Sequence, residues 1–316
     1  MDNFKQLRKR FDLCCPLCKN KILQNQKKLQ CTNVECPHNK ADAYFSLIDE
    51  KPILISNFSD TIFRSEEINS QITRIKDSLI KQKLNNFIFG RPVVTEKNCV
   101  NFLTQLKKNN LSPRCLIIGS GEKGRGTERL FKDRDVSILG TDVYESELVE
   151  VISDAHYLPF ENESFDGIWI QAVLEHVVNP KSVVDEIYRV LKPHGVVYAE
   201  TPFMQQVHEG RYDFNRFTVL GHRYLFKRFK LIEIGGNKGV GTVATWSIKY
   251  LFWSIFRSKK IATILSIPFA IIFRLIEKLA DKRSLFDASS GVYFLGTKSS
   301  ESISHRDLIE LYRGMQ

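Results

Sequence analysis

Arg114-Cys115-Leu116-Ile117-Ile118-Gly119-Ser120-Gly121-Glu122-Lys123-Gly124-Arg125-Gly126 is the stretch on which the fold turns. Cys115 to Ile118 make an apolar run of strand length, and Thr127 to Leu130 begin a helical pattern. Gly119, Gly121 and Gly124 supply a tight turn between them. A strand, a glycine turn and a helix in this order open the crevice at the carboxyl edge of an α/β sheet. Without a Cβ, glycine lets a ligand approach the backbone closely. The same turn also serves as a plain βα connection, so the flanking sequence decides its meaning.

Downstream, Val136 to Gly140 reads as a second strand, with Asp142 just past its end and 23 residues after Gly119. A carboxylate there can accept hydrogen bonds from two vicinal ribose hydroxyls, which every adenosine-bearing cofactor offers. Asp154 closes a third strand, where it can accept from an adenine amino group, and Phe165 to Ile170 form a fourth strand ending at Gln171. Asn179 caps a helix with Pro180 in its first turn; Val183, Val184, Ile187, Val190 and Leu191 face the sheet. Lys192-Pro193-His194-Gly195 ends that helix, and Val196 to Glu200 is strand five. Leu231 to Gly235 and Gly291 to Gly296 read as strands six and seven, the last antiparallel.

As an ordered set these segments resemble the class I S-adenosylmethionine-dependent methyltransferases, in the subfamily that includes quinone-biosynthesis enzymes. The matching residues are Ile117 to Gly121, Asp142-Val143, Asp154 to Asp166, Val173 to Val177, Glu186 to Gly195 and Thr201 to Phe203. The resemblance covers residues 113 to 236 and the last strand. It implies an α/β, Rossmann-like, seven-stranded methyltransferase sheet with S-adenosylmethionine as cofactor. It assigns cofactor contacts to Gly119, Ser120, Gly121, Asp142, Val143, Asp154, Ala155 and Gln171. A nicotinamide dehydrogenase shares the glycine turn and Asp142 but not the later motifs. One position departs: the family often has an acid two residues before the first glycine, where this chain has Ile117. The methionine amino group then needs other acceptors, such as backbone carbonyls near Gly119 and Gln171. With no phosphate to hold, Lys123 and Arg125 read as surface charges.

Upstream, Cys15, Cys18, Cys31 and Cys36 form two knuckles with twelve residues between them, and four thiolates so spaced can close a tetrahedral Zn²⁺ site. Cys14 could replace Cys15, and His38 could replace Cys36. An odd, clustered set of seven cysteines argues for metal over disulfides. Tyr44 to Ile55 reads as two short strands around an Asp-Glu-Lys-Pro turn. Residues 12 to 56 resemble the small zinc-ribbon proteins that activate RNA and protein methyltransferases. The domain reading is a zinc ribbon (1–58), a helical linker or cap (59–112), the methyltransferase domain (113–300) and a tail (301–316). The linker carries an amphipathic helix over 65–89 (Ile68, Ile72, Ile75, Leu79). A second helix spans 96–108 with Val100, Leu103 and Leu106 inward.

Methyl transfer needs its acceptor held in line with the sulfonium, and a base only when the acceptor is a hydroxyl or an unreactive amine. His208 and His176 are the candidate catalytic residues, with Glu175, Tyr212, Asp213, Asn215 and Arg216 nearby in sequence. Gln205 to Thr218 resembles a segment of methyltransferases from polysaccharide gene clusters. Residues 243–256 and 261–273 are strongly apolar, each too short to span a bilayer comfortably. They sit in an insertion (242–285) between strands six and seven, with Pro268 placed to bend the second segment. Residues 242–283 hold eight Lys/Arg and two Asp/Glu, a pattern for docking on an anionic membrane surface. A buried helical pair or a dimer interface is the alternative.

The net charge of +10 agrees with an anionic partner. No apolar run of signal-peptide length follows Lys5, Arg8, Lys9 and Arg10, so a cytoplasmic protein, at most peripheral on the inner membrane face, is expected. The leading function is methylation of a small or lipid-linked acceptor such as a sugar hydroxyl in surface-glycan assembly. An RNA methyltransferase is the alternative, since ribosomal guanine methyltransferases also place a zinc ribbon before this fold. A non-catalytic cofactor-binding adaptor is the third reading.

Overall fold

The structure, a computed structural model, describes residues 3–25, 28–40, 42–70, 90–108 and 110–316. The helix expected over 65–89 lies mostly outside them; its first six residues, Ser65–Ser70, form a 3₁₀ turn. In chain order the elements begin with α1 (Asn3–Phe11), β1 (Ile22–Asn25), β2 (Lys28–Cys31), β3 (Leu47–Ile48), β4 (Lys51–Pro52), α2 (Val93–Leu106), β5 (Arg114–Ile118) and α3 (Glu128–Lys132). Then come β6 (Ser137–Asp142), β7 (Val151–Ile152), β8 (Phe165–Gln171), α4 (Pro180–Val190), β9 (Leu191–Pro202), α5 (Val219–Leu225) and β10 (Phe229–Gly236). The chain closes with α6 (Val240–Phe256), α7 (Lys259–Glu277), α8 (Ser284–Ala288), β11 (Gly291–Lys298) and α9 (His305–Ile309).

Seven strands form one sheet in the order β10-β11-β9-β8-β5-β6-β7, with β11 antiparallel to both neighbours and the others parallel. This is the expected seven-stranded arrangement. Alternation along β5 sends Leu116 and Ile118 to one buried layer and Cys115 and Ile117 to the other. The first layer packs on α4 and on Phe4, Leu7, Phe11 and Leu13 of the N-terminal segment. The second packs on Cys99, Phe102 and Leu106 of α2.

The N-terminal segment is tied to the free edge of the sheet. Leu54 N–H donates to Ile152 O at 2.7 Å, Ile53 bridges Ile152 in parallel, and Cys14 N–H donates to Pro159 O at 2.9 Å. The turn between β3 and β4 holds Asp49 (φ 46°) and Glu50 (φ 63°) left-handed, as a two-residue hairpin requires.

Two expectations are corrected. Val100 is 39% exposed, and Cys99 and Phe102 take the inward face of α2, which begins at Val93. The buried stripe follows from how α2 lies on the sheet, with Cys99, Phe102 and Leu106 packed in one cluster with Trp169, Val196 and Tyr198. Lys192-Pro193-His194-Gly195 does not separate helix from strand: β9 already pairs Leu191 with Phe165, and the register shifts before Gly167 meets Val196. His194 (φ 60°) absorbs that irregularity. Pro268 lies within α7, inside the second apolar segment as expected.

His222 of α5 sits fully buried under β9, its Nε2 3.1 Å from Thr201 Oγ1. Burial pushes its pKa down to about 3. The unfolded chain therefore binds a proton near the ordinary value while the folded chain does not, so His222 removes stability as pH falls from about 6.5 toward 3. Unfolding free energies from urea titrations across this range should fall less steeply for His222→Gln than for wild type, by up to roughly 1.4 kcal/mol per pH unit.

Candidate functional site

The carboxyl ends of β5, β6, β8, β9 and β10 surround a cavity of about 430 Å³. The glycine turn forms one wall. Gly119 has φ +79°, and a Cβ there would lie 2.1 Å from Val173 Cγ2. Only glycine satisfies both constraints without strain. Ser120 is buried with its Oγ toward Leu148 O, behind the wall, and Gly121 N–H donates to Asp142 Oδ2 at 2.7 Å. Asp142 Oδ1 also accepts from Val143 N–H at 2.7 Å. Two backbone donors thus fix the Asp142 carboxylate at the cavity edge, with Val143 and Tyr144 lining beside it.

Asp154 lines the next wall with Ala155. Its Oδ1 accepts from His156 N–H (2.9 Å) and faces His156 Nδ1 (2.6 Å), while Oδ2 accepts from Thr61 Oγ1 (2.5 Å). Burial opposes its ionisation, but these hydrogen bonds outweigh that and hold it below the usual carboxylate range. Gln171 lies over Gly124 and donates to Arg125 O (3.2 Å) and Glu200 Oε1 (3.4 Å). Of the eight residues assigned to a cofactor by resemblance, Gly119, Asp142, Val143, Asp154, Ala155 and Gln171 line the cavity. Ser120 and Gly121 support it from behind.

At the far end His176 lines the cavity and His208 lies directly behind it, ring centroids 4.8 Å apart. Both Nε2 atoms stand 3.6 Å from Glu175 Oε1, and Glu175 is fully buried. His208 has its pKa raised, chiefly by Glu175, with burial opposing. Arg216 pairs with Asp213 through both terminal guanidinium nitrogens.

Several lining residues escaped the sequence reading. Phe63 comes from the segment after the N-terminal ribbon and packs against Tyr144 and Tyr212. Lys238 follows β10; burial, with help from the Arg125 charge, pushes its pKa down to about 8. Arg125 and Lys123, taken as surface charges, are exposed but stand at the cavity rim. Glu200, beside Gln171 in the sheet, accepts from Thr95, Tyr198 and Asn237. Ala172 (φ 55°) and Glu209 (φ 57°) are left-handed non-glycine residues on the rim, which no local sequence signal marks.

The insertion roofs this end. Trp246 of α6 lines the cavity, and Tyr250 OH donates to Val207 O at 2.8 Å. The Glu277 carboxylate of α7 accepts from Gly239 and Thr242 N–H, both at 2.9 Å, capping α6. Thr245, Ala262, Ser266 and Ala270 are buried, whereas Leu251, Ile255, Ile264, Ile272, Leu275 and Ile276 are each at least half exposed. Among the described residues no helix is long and apolar enough to cross a membrane.

Away from the cavity, Cys15, Cys18, Cys31 and Cys36 bring their sulfurs within 4.8 Å of one another. The Cys15–Cys36 and Cys18–Cys31 separations are 3.9 and 3.3 Å. Sulfurs around a tetrahedral Zn²⁺ stand about 3.8 Å apart, so the cluster fits that ion. Burial works against the Cys18 thiolate, yet the Asn20 N–H and the neighbouring thiols bring its pKa down to about 7. Cys14 points elsewhere, with its pKa pushed up to about 12 by burial, and His38 Nε2 meets Ser56 Oγ at 2.8 Å.

Residues 116–199 match the family model described as a methyltransferase domain. The chain is 46% identical over 63 residues to a demethylmenaquinone methyltransferase of Clavibacter sepedonicus, covering 19% of this chain and 26% of that one. It is 35% identical over 77 residues to a ubiquinone/menaquinone biosynthesis C-methyltransferase of Cereibacter sphaeroides, covering 22% and 30%. The chain therefore spans under a third of the length of these two relatives. Among solved structures, the Haemonchus contortus phosphoethanolamine N-methyltransferase 2 in complex with S-adenosyl-L-methionine aligns with a TM-score of 0.40 at 17% identity. That alignment covers 72% of this chain and 59% of the other.

Gly119→Ala should cost about 2 kcal/mol or more, from the left-handed φ and the Val173 collision. Chemical denaturation of the variant against wild type measures this.

Proposed function

We propose that this chain transfers a methyl group from S-adenosylmethionine to a small or lipid-linked acceptor. The observation that carries the reading is the union of the methyltransferase-domain match with a cavity walled by Gly119, Asp142, Asp154 and Gln171. Asp142, pinned by two backbone N–H groups, suits the ribose hydroxyls of the cofactor. Asp154 and Ala155 suit its adenine end, and Gln171 the methionine end. The cofactor supplies an electrophilic methyl on a sulfonium. The chain's own work is to hold the acceptor in line and to keep water out.

The His176 end of the cavity receives the acceptor in this reading. The cluster behind it, half-buried His208 with Glu175 and His176, manages the acceptor's proton. A sugar hydroxyl of a surface glycan is the favoured acceptor, from the likeness of residues 205–218 to glycan-cluster enzymes. The names of the curated relatives point to a quinone as a second acceptor class. RNA is less suited, because the face beside the cavity is apolar where stacking aromatics and a basic groove would be expected.

The Cys15–Cys18–Cys31–Cys36 cluster holds a structural Zn²⁺ in this proposal, fixing the ribbon against the sheet edge. The apolar face of α6 and α7 docks on an anionic lipid surface. Charge complementarity supports that occupant: Arg257, Lys259, Lys260, Arg274, Lys278, Lys282 and Arg283 surround the exposed apolar residues. Docking there would set the roofed end of the cavity near the lipid headgroups.

Calorimetry with S-adenosylhomocysteine tests the cofactor reading. Wild type should bind one equivalent, Asp142→Asn at least tenfold more weakly. His208→Ala should bind it as wild type does while losing at least tenfold in turnover. Equal binding by wild type and Asp142→Asn would overturn the site assignment. In flotation with phosphatidylglycerol liposomes at low salt, wild type should rise with the vesicles, and Ile264→Glu/Ile272→Glu should remain below.

A further inference from the structure

Glu175 Oε1 and the Nε2 atoms of His176 and His208 converge beside the cavity. Glu175 is 0% exposed, and neither of its carboxylate oxygens has a hydrogen-bond partner. An unpartnered carboxylate at this depth is costly, because burial removes the water that would otherwise solvate it. His176 Nδ1 lies 2.7 Å from the Tyr212 carbonyl oxygen. A carbonyl only accepts, so Nδ1 carries the hydrogen and Nε2 of the neutral ring presents a lone pair. His208 Nδ1 lies 3.3 Å from Asp213 Oδ2 without hydrogen-bond geometry, and that carboxylate oxygen accepts from the His208 backbone N–H instead. Both Nε2 atoms stand 3.6 Å from Glu175 Oε1. A buried carboxylate facing the His176 Nε2 lone pair needs positive charge beside it, from a proton on His208 or from a bound cation.

We propose that Glu175, His176 and His208 bind a divalent first-row transition cation through Glu175 Oε1 and the two Nε2 atoms. The three ligand atoms lie within 4.8 Å of one another. Around a tetrahedral ion with bonds of about 2.0–2.2 Å, ligand atoms stand about 3.4 Å apart, so the 3.6 Å separations need only a small contraction. Two imidazoles and a carboxylate suit Zn²⁺, Mn²⁺ or Fe²⁺ better than Ca²⁺ or Mg²⁺. The outer partners match such a site: the Tyr212 carbonyl orients His176, and Asp213 stands behind His208. Arg216 is bound to the same Asp213 and balances its charge. Three protein ligands leave a coordination position open. Because His176 lines the cavity, that position is available to an oxygen of the acceptor. This last role rests on the methyltransferase reading; the cation site does not.

The competing account is a proton on one imidazole, and metal content separates the two. Wild type, Glu175→Gln and His208→Ala are dialysed against Zn²⁺, and in parallel against Mn²⁺, then measured by plasma mass spectrometry. Wild type should hold one equivalent more than either variant in at least one of the two metals. The difference is unaffected by any ion on the four cysteines, which all three proteins share. Mn²⁺ paramagnetic resonance should show nitrogen coupling in wild type if Mn²⁺ is the extra ion. Equal metal content in the three proteins would overturn the proposal. Should Glu175→Gln fail to fold by circular dichroism, His208→Ala, whose ring is partly exposed, decides the matter. S-adenosylhomocysteine binding by the same samples reports separately on the parent reading.

Discussion

A parallel strand has no face that tolerates water, so both sides of β5, β6 and β8 must be covered. That single constraint organises the chain. One layer is covered by α4 together with Phe4, Leu7, Phe11 and Leu13, and the other by Cys99, Phe102 and Leu106 of α2. The N-terminal ribbon is therefore more than an appendage. Cys15, Cys31 and Cys36 belong to the same buried cluster as Leu116 and Ile168 of the sheet. The short edge strand β7 is closed by the chain at Ile53 and Leu54, which removes an open edge that would otherwise invite pairing with another chain.

The covering segments also complete the site. Thr61 and Phe63 follow directly from the stretch that seals β7, and they reach Asp154 and the aromatic wall formed with Tyr144 and Tyr212. Thr95 of α2 reaches Glu200 from the opposite side. The cavity is thus shared between the sheet, which supplies the fixed carboxylates, and the covers, which supply walls and hydrogen bonds. Perturbing a cover changes the electrostatics of Asp154 without touching the sheet.

Much of this was legible in sequence because it is local. The glycine turn, Asp142, the Gln171 strand end and the Asn179 cap each declare themselves within a few residues, and the structure places them where the spacing indicated. The misses come from forces that spacing does not record. Val100 follows a helical stripe as well as Cys99 does; the packing of α2 on Trp169, Val196 and Tyr198 of the sheet decides which stripe is buried. Leu191 entered β9 early because pairing with Phe165 outweighed the breaking tendency of Pro193 and Gly195. Lys238, Glu200 and Phe63 converge from distant parts of the chain, and only the fold brings them together. Glu175 stood in a recognised motif, but its missing hydrogen-bond partners are a property of three dimensions.

The long apolar insertion leaves and re-enters the sheet at one place. Gly236 pairs with Val292, Asn237 N–H donates to Gly291 O at 2.9 Å, and Ser290 N–H donates to Lys238 O at 2.8 Å. Topologically it is an overgrown hairpin loop, and the entropy of closing a loop grows only with the logarithm of its length. The sheet therefore sets little limit on what is carried there. Roof and outer surface form an exchangeable module, so lineages could diverge in partner and surface chemistry at this position while inheriting the strand pairings, the glycine turn and Asp142 unaltered.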